Sequence, residues 1–232
     1  VCMNAIQPGG TVLVAGASGL IGSRLTSELE SRGHQVRRLV RRPSRNSTEF
    51  TWDPAGRVLP SEALEGTDCV VVLSGAGVGD RRWTPSYRRE ILSSRVSTVS
   101  LVAQRMAEVD GPMRLIGASA VGIYSDRGEE ELTEASAPGE GFLAEVCRAW
   151  ESAADPARRA GLSVAHARTG LVLSARGGAL GKLLPLIRAG VGGPMGTGTQ
   201  WWPWITLADE VAALAHLVSS EVTGPVNLVA PH

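Results

Sequence analysis

Three glycines, Gly16, Gly19 and Gly22, close an apolar, β-branched run at residues 11–14 and open a segment of helical periodicity that starts at Leu20. Their spacing suits a phosphate cradle. The first glycine can take a backbone conformation denied to residues with a Cβ, the second lets the main chain approach a pyrophosphate, and the third lets helix and strand pack closely. Unpaired N–H groups of the helix's first turn would then face the phosphates. Such a triplet alone also fits an ordinary turn, but here a strand precedes it and a helix follows, which is the context that dinucleotide binding requires. Gly16, Ser18, Gly19, Leu20, Ile21 and Gly22 are therefore expected at a cofactor.

Other residues add to this chemistry. Arg41 and Arg42 follow the second strand, which ends at Val40, where an acidic residue would bond the ribose hydroxyls of NAD and an arginine would accept the 2′-phosphate of NADP. No carboxylate stands there, and the planar fork of arginine suits phosphate, so NADP is the expected cofactor. For Arg42 a solvated loop charge is an equally simple reading. Leu73, Ser74 and Gly75 end the apolar run CVVVL (69–73), and small residues at the carboxyl end of a strand leave room for a ligand. Ser119 ends a later core strand, where its hydroxyl could bond a substrate oxygen or the nicotinamide, or simply cap the strand. Tyr124, close behind it, could serve as an acid or hold its loop through the hydroxyl. His34, His166, His216 and His232 have no triad-like or metal-like companions. Cys2, Cys69 and Cys147 show neither ligand spacing nor a disulfide framework, so no metal site is expected and a reducing, cytoplasmic setting fits.

The elements that must position these residues follow from periodicity. A helix is expected from Leu20 to Arg32, stopped by Gly33, then strands at residues 35–40 and 50–52. The run at 69–73 reads as a strand buried on both faces. Thr84 and Pro85 are an N-cap and first-turn pair for a long helix reaching about Val109. Strands are expected at 113–118, 162–167 and 225–229, a helix from Phe142 to about Ala160 with a break near Pro156, a short helix at 179–189, and a helix from the Thr206 cap to Ser219. This alternation argues for an α/β fold, a Rossmann-type doubly wound parallel sheet with right-handed crossovers. A single domain over 1–232 is expected, with insertions around 125–141 and 174–204 on the substrate side. Lys plus Arg equals Asp plus Glu at 23 each, which supplies no field for nucleic acid or an anionic membrane and favours a small-molecule partner.

At these motifs the chain resembles the short-chain dehydrogenase/reductase superfamily in its extended, epimerase-like branch. GASGLIG (16–22), LSGA (73–76) and WITLAD (204–209) carry that resemblance, and RRWTPSYRREILSSRV (81–96), SAVGIY (119–124), FLAEVCRAWE (142–151) and GGPMGTGTQWWPWI (192–205) narrow it to nucleoside-diphosphate-sugar epimerase-like proteins. It covers essentially the whole chain from Thr11. The resemblance implies that Glu90 and Arg95, on the helix after the Gly75 loop, and also Ala118 and Val172, meet the cofactor. It places Arg168 at a position that anchors a loop or a ligand, and the tryptophans Trp201, Trp202 and Trp204, with Gly192, Gly193 and Pro194, on the substrate side, where they fit either a stacking surface for a sugar or base or packing beneath a further C-terminal segment; a nucleotide-linked substrate is left open. Many relatives of this fold are dimers, which leaves a homodimer open.

Two departures accompany the resemblance. Family members continue past the strand matched by GPVNLVAP (224–231) into a segment that helps cover the substrate, whereas this sequence ends at His232. The family's proton-transferring Tyr and Lys fall on Phe142 and Val146, and neither can move a proton. The expected function is that of an NADP-dependent oxidoreductase or epimerase; the alternative is a non-catalytic NADP-binding sensor or partner-binding protein.

Overall fold

The computed structural model describes residues 6–193 and 196–231. The chain opens with β1 (Thr11–Ala15), α1 (Leu20–Ser31), β2 (Gln35–Val40), β3 (Glu49–Thr51) and β4 (Cys69–Val72). It continues through α2 (Pro85–Ala107), β5 (Arg114–Ala120), α3 (Phe142–Ser152), α4 (Asp155–Arg159) and β6 (Ser163–Thr169). The last third holds β7 (Leu171–Leu173), α5 (Gly178–Arg188), β8 (Trp204–Thr206), α6 (Leu207–Ser219) and β9 (Gly224–Leu228).

Seven strands form one sheet in the order β3-β2-β1-β4-β5-β6-β9, with every pairing parallel. Side chains alternate faces along a strand. Val12 and Val14 therefore pack with Leu25 and Leu29 of α1 and Leu214 and Val218 of α6, while Leu13 and Ala15 pack with Val99, Val102 and Met106 of α2 and Trp150 of α3. A strand covered on both sides reads as a continuous apolar run, which is why TVLVA and CVVV carry no polar alternation.

The helix expected from Phe142 with a break near Pro156 is two helices, α3 and α4, separated at Ala153 and Ala154: Pro156 has no N–H to donate back into the preceding turn and stands in the first turn of α4, which starts at Asp155. One strand was not expected. Trp204–Thr206 is a strand rather than an approach to a helix cap, pairing in parallel with β7 in a separate two-stranded sheet. A run of three residues gives no periodicity from which pairing can be read. The Thr206 cap itself forms, its Oγ1 accepting from the Asp209 N–H at 3.1 Å. Thr84 caps α2 in the same way, accepting from the Tyr87 N–H at 3.2 Å. Cys2, Pro194 and His232 lie outside the described residues.

On α6, Glu210 turns into the sheet and is 1% exposed. One carboxyl oxygen accepts from the Thr169 hydroxyl at 2.8 Å, while Oε2 has no partner among the described residues. Burial pushes this carboxyl up to about 7. A carboxyl raised in the folded state binds its proton there while the unfolded chain has already lost it. Its contribution is thus full below the unfolded value of 4.5 and is lost as the pH rises through about 7. The expected result is that Glu210→Gln removes a fall in unfolding free energy of about 2–3 kcal/mol between these limits. Denaturant titrations of both proteins across that range measure it; parallel pH profiles for the two would contradict it.

Candidate functional site

The sheet order reverses between β1 and β4: the chain grows outward through β2 and β3 on one side and through β5, β6 and β9 on the other. Open α/β sheets bind ligands at this switch point, outside the carboxyl ends of the strands. A crevice of about 800 Å³ lies there.

Gly16 turns the chain out of β1 at φ +91°, and a Cβ on it would stand 3.1 Å from the Leu73 carbonyl carbon and the Ser74 nitrogen. The bend therefore lies directly against the end of β4. Gly22 is tighter still: a Cβ there would come within 2.2 Å of the Gly16 oxygen. Gly19 is the N-cap of α1, and no side chain bonds to that helix end. The first N–H groups of α1 are thus left to whatever occupies the crevice.

Among the residues expected at a cofactor, Gly16, Ser18, Gly19, Arg41, Leu73, Ser74, Gly75 and Glu90 line the crevice. Leu20, Ile21 and Gly22 form the first turn behind it, and Val40 is the last residue of β2 below Arg41. Arg42 does not face the crevice. Its guanidinium pairs with both carboxylate oxygens of Glu49, at 2.6 and 2.8 Å, and Glu49 also accepts from the Arg45 N–H at 2.8 Å. These bonds hold the Glu49 carboxyl down at about 2. Arg42 thus takes the simpler of its two readings, a loop charge matched by a neighbouring strand.

Arg95 is 9% exposed and donates to the Ala76 and Ile91 carbonyls, both at 2.9 Å. Its side chain packs on Gly75, where an added Cβ would meet Arg95 Cγ at 3.1 Å. Arg95 therefore shapes the crevice from behind instead of lining it. Ala118 pairs with Ala167 inside the sheet, and Val172 pairs with Ile205 in the small sheet, so neither lines the crevice. The sequence did not single out Trp52, Asp53 and Asp80, which do. Their signal was a turn composition, Asp53-Pro54 and Gly79-Asp80, which carries no direction. Lys182 of α5 reaches the rim, its Nζ 3.0 Å from Asp80 Oδ1 and 2.9 Å from the Gly79 oxygen.

Ser119 and Tyr124 belong to a buried polar network, none of whose members lines the crevice. The Ser119 hydroxyl donates to Glu151 Oε1 at 2.7 Å, toward α3, and is buried. Arg168 donates to the two oxygens of Glu151 at 2.9 and 3.0 Å and to the Tyr124 hydroxyl at 2.7 Å. Tyr124 in turn donates to Asn227 Oδ1 at 2.7 Å. Burial alone would raise the Glu151 carboxyl, but the bonds from Arg168 and Ser119 outweigh it and hold the group below its ordinary value. Glu151 bonding likewise holds the Arg168 guanidinium charged. His166, beneath them on β6, is pushed down to about 4 by burial and bonds to Arg158 through Nε2. Glu151 and Asn227 escaped notice in the sequence, being a lone helix acid and a lone strand amide.

Phe142 and Val146, on the first turns of α3, do no proton chemistry. Phe142 meets Trp83 edge to face at 5.3 Å, and Val146 packs against Tyr87 and Ile91. Beyond them opens a second cavity of about 1000 Å³, where Tyr124, Phe142, Trp201, Trp202 and Trp204 come together. Arg81 and Tyr87 line the crevice while Trp83 and Arg88 line this cavity, so one segment borders both.

Comparison with known proteins agrees with this geometry. The model of the NAD dependent epimerase/dehydratase family matches residues 12–229. An epimerase family protein of Mycobacterium bovis is 41% identical over 221 residues, which are 95% of this chain and 73% of that protein. Among solved structures, the nucleoside-diphosphate sugar epimerase from Corynebacterium glutamicum superposes with a TM-score of 0.85 at 41% identity, over 97% of this chain and 47% of that one. The human epimerase family protein SDR39U1, solved with NADPH, gives a TM-score of 0.83 at 33% identity, over 96% of this chain and 75% of that one. This chain therefore spans about three quarters of two of these relatives and less than half of the Corynebacterium protein. The match of sequence along nearly the whole chain, on a sheet that puts the glycine bend at its switch point, means that the chain belongs to the NAD dependent epimerase/dehydratase family.

Proposed function

We propose that the chain binds NADP(H) in the switch-point crevice and acts as an oxidoreductase or epimerase on a small carbonyl or hydroxyl compound. One observation carries the reading: the Gly16 bend, at φ +91° and packed on β4, leaves the uncapped end of α1 open to a crevice whose far wall includes Arg41. A pyrophosphate fits the first turn of α1, and Arg41 would take the 2′-phosphate, because Arg42 is engaged by Glu49. NADPH bound to the human relative supports the same choice. When bound, the nicotinamide supplies the hydride chemistry. The chain's own groups hold the dinucleotide, bound the crevice with Ser74 and Gly75, and place the Tyr124 hydroxyl between Arg168 and Asn227. Free, buried Cys69 and Cys147, with thiols pushed up to about 12 and about 11 by burial, suit a reducing, cytoplasmic setting.

Titration of NADPH and NADH into wild type and Arg41→Ala tests the cofactor. NADPH affinity is expected to fall about tenfold or more, the loss of a charge-assisted bond of roughly 1.5–3 kcal/mol, with NADH little changed. Equal NADPH affinity in the two proteins would remove Arg41 from the site.

A second reading, a non-catalytic NADP-binding protein, is favoured by Phe142 and Val146 and by a Ser119 hydroxyl committed to Glu151. Screening carbonyl compounds for oxidation of bound NADPH separates the two. Turnover of any of them rejects the second reading.

A further inference from the structure

The two arginines that follow β2 part ways, and β3 is what parts them. Strands β2 and β3 run parallel in the register Arg38 to Glu49, Leu39 to Phe50 and Val40 to Thr51, yet only residues 41–48 connect them. Parallel neighbours ordinarily need a crossover of a dozen or more residues, often a helix. A connection this short has no helix to fix it, so side chains must.

Glu49 and Thr51 do so, from positions two apart that share one face of β3. The Glu49 carboxylate accepts from both ends of the Arg42 fork, at 2.6 and 2.8 Å, and from the Arg45 N–H at 2.8 Å, three charge-assisted bonds. Thr51 Oγ1 accepts from the Ser44 N–H and donates to the Arg42 carbonyl, both at 3.0 Å. Residue 42 is thus held at its guanidinium and at its carbonyl. On the other side of Arg41, the Val40 carbonyl accepts from the Trp52 N–H at 3.0 Å. Arg41 therefore stands between two fixed residues and lines the crevice, with no ion pair of its own among the described residues. An ion pair open to water on both sides contributes little. Here the Glu49 side chain is only 10% exposed, against 40% for Arg42, so the carboxylate is a fixed post for a more mobile partner.

We propose that Glu49, which lines no part of the crevice, is the positioning residue that sets the preference for NADPH over NADH: it draws Arg42 off the site and fixes the 41–48 connection so that Arg41 meets the 2′-phosphate. The inference rests on the function proposed above. An arginine already in place needs little further ordering when the phosphate arrives. With Glu49 neutral the connection loosens, and part of the phosphate's binding goes into ordering it. A freed Arg42 does not repair the loss, since its side chain leaves the backbone toward β3 and not toward the crevice. NADH carries no 2′-phosphate and is indifferent to the change.

The test titrates NADPH and NADH, read by their own emission, into wild type, Glu49→Gln, Thr51→Val, Arg41→Ala and the double variant of Arg41→Ala with Glu49→Gln. Glu49→Gln is expected to weaken NADPH about three- to tenfold and to leave NADH within about twofold. Thr51→Val loosens the same connection without touching an ion pair; it is expected to act in the same direction, and it decides the matter if the Glu49→Gln protein does not fold. In the Arg41→Ala background Glu49→Gln is expected to cost NADPH nothing more, because Glu49 acts through Arg41. An equal loss for both nucleotides would make Glu49 a structural residue and overturn the proposal. Unchanged or tighter NADPH binding in Glu49→Gln, or a full further loss in the Arg41→Ala background, would overturn it as well. Wild type that binds neither nucleotide would reject the crevice reading and this proposal with it; a preference for NADPH that survives Glu49→Gln would reject this proposal alone.

Discussion

Glu151→Ala is expected to lower the stability of this protein by about 3–5 kcal/mol, the range for removing one partner of a buried ion pair. The Arg168 and Glu151 side chains are only 8% and 14% exposed, so the guanidinium left behind has little water to turn to. It would keep its bond to Tyr124 but lose both to the carboxylate, and the Ser119 hydroxyl would lose its acceptor. A double variant, Glu151→Leu with Arg168→Met, should recover much of the loss, because two matched apolar groups avoid the uncompensated charge. Denaturant melts of wild type, Glu151→Leu, Arg168→Met and the double variant measure the coupling. A Glu151→Ala loss under about 1 kcal/mol would show that the pair is solvated in solution and not buried. Since Glu151 is held below its ordinary value, its contribution should be present above the unfolded carboxylate range and fade as the pH falls through the folded one.

Gly22→Ala sets local preference against tertiary contact. Helix propensity alone favours alanine by about 1 kcal/mol. The added methyl, however, would lie 2.2 Å from the Gly16 oxygen and 3.0 Å from Ala17 Cα, all backbone atoms that cannot rotate away. Either α1 or the bend must move, and overpacking of this kind costs about 3 kcal/mol, which exceeds the propensity gain. The expected outcome is a melting temperature about 4–8 °C lower, from a net loss near 2 kcal/mol, together with weaker NADPH binding as the helix end leaves the phosphate position. A variant as stable as wild type would contradict this close approach of α1 to the Gly16 bend.

The strand, bend and helix at residues 11–31 were legible because each rests on local physics: a β-branched run, backbone angles open to glycine, and apolar residues every three to four positions. The caps at Thr84 and Thr206 were legible for the same reason, a short polar side chain bonding to an N–H three residues on. The candidate site was legible only in part. Arg41 and Arg42 are neighbours of the same type, and nothing in their spacing says that Glu49, seven residues on, engages one and leaves the other at the crevice. The Ser119 hydroxyl could be placed at a strand end, but not aimed.

What the sequence determined by itself, then, is the parallel sheet and the bend at its centre, since burial on both faces and glycine's backbone freedom are written in residue types a few positions apart. Tertiary structure alone decided the polar network and the aromatic cavity. Arg168 finds Glu151 because β6 lies beside β5 and α3 packs over them, and Trp83 and Phe142 meet because α2 and α3 begin side by side. Contacts between residues so far apart in the chain depend on how layers dock, and a one-dimensional pattern carries no term for that.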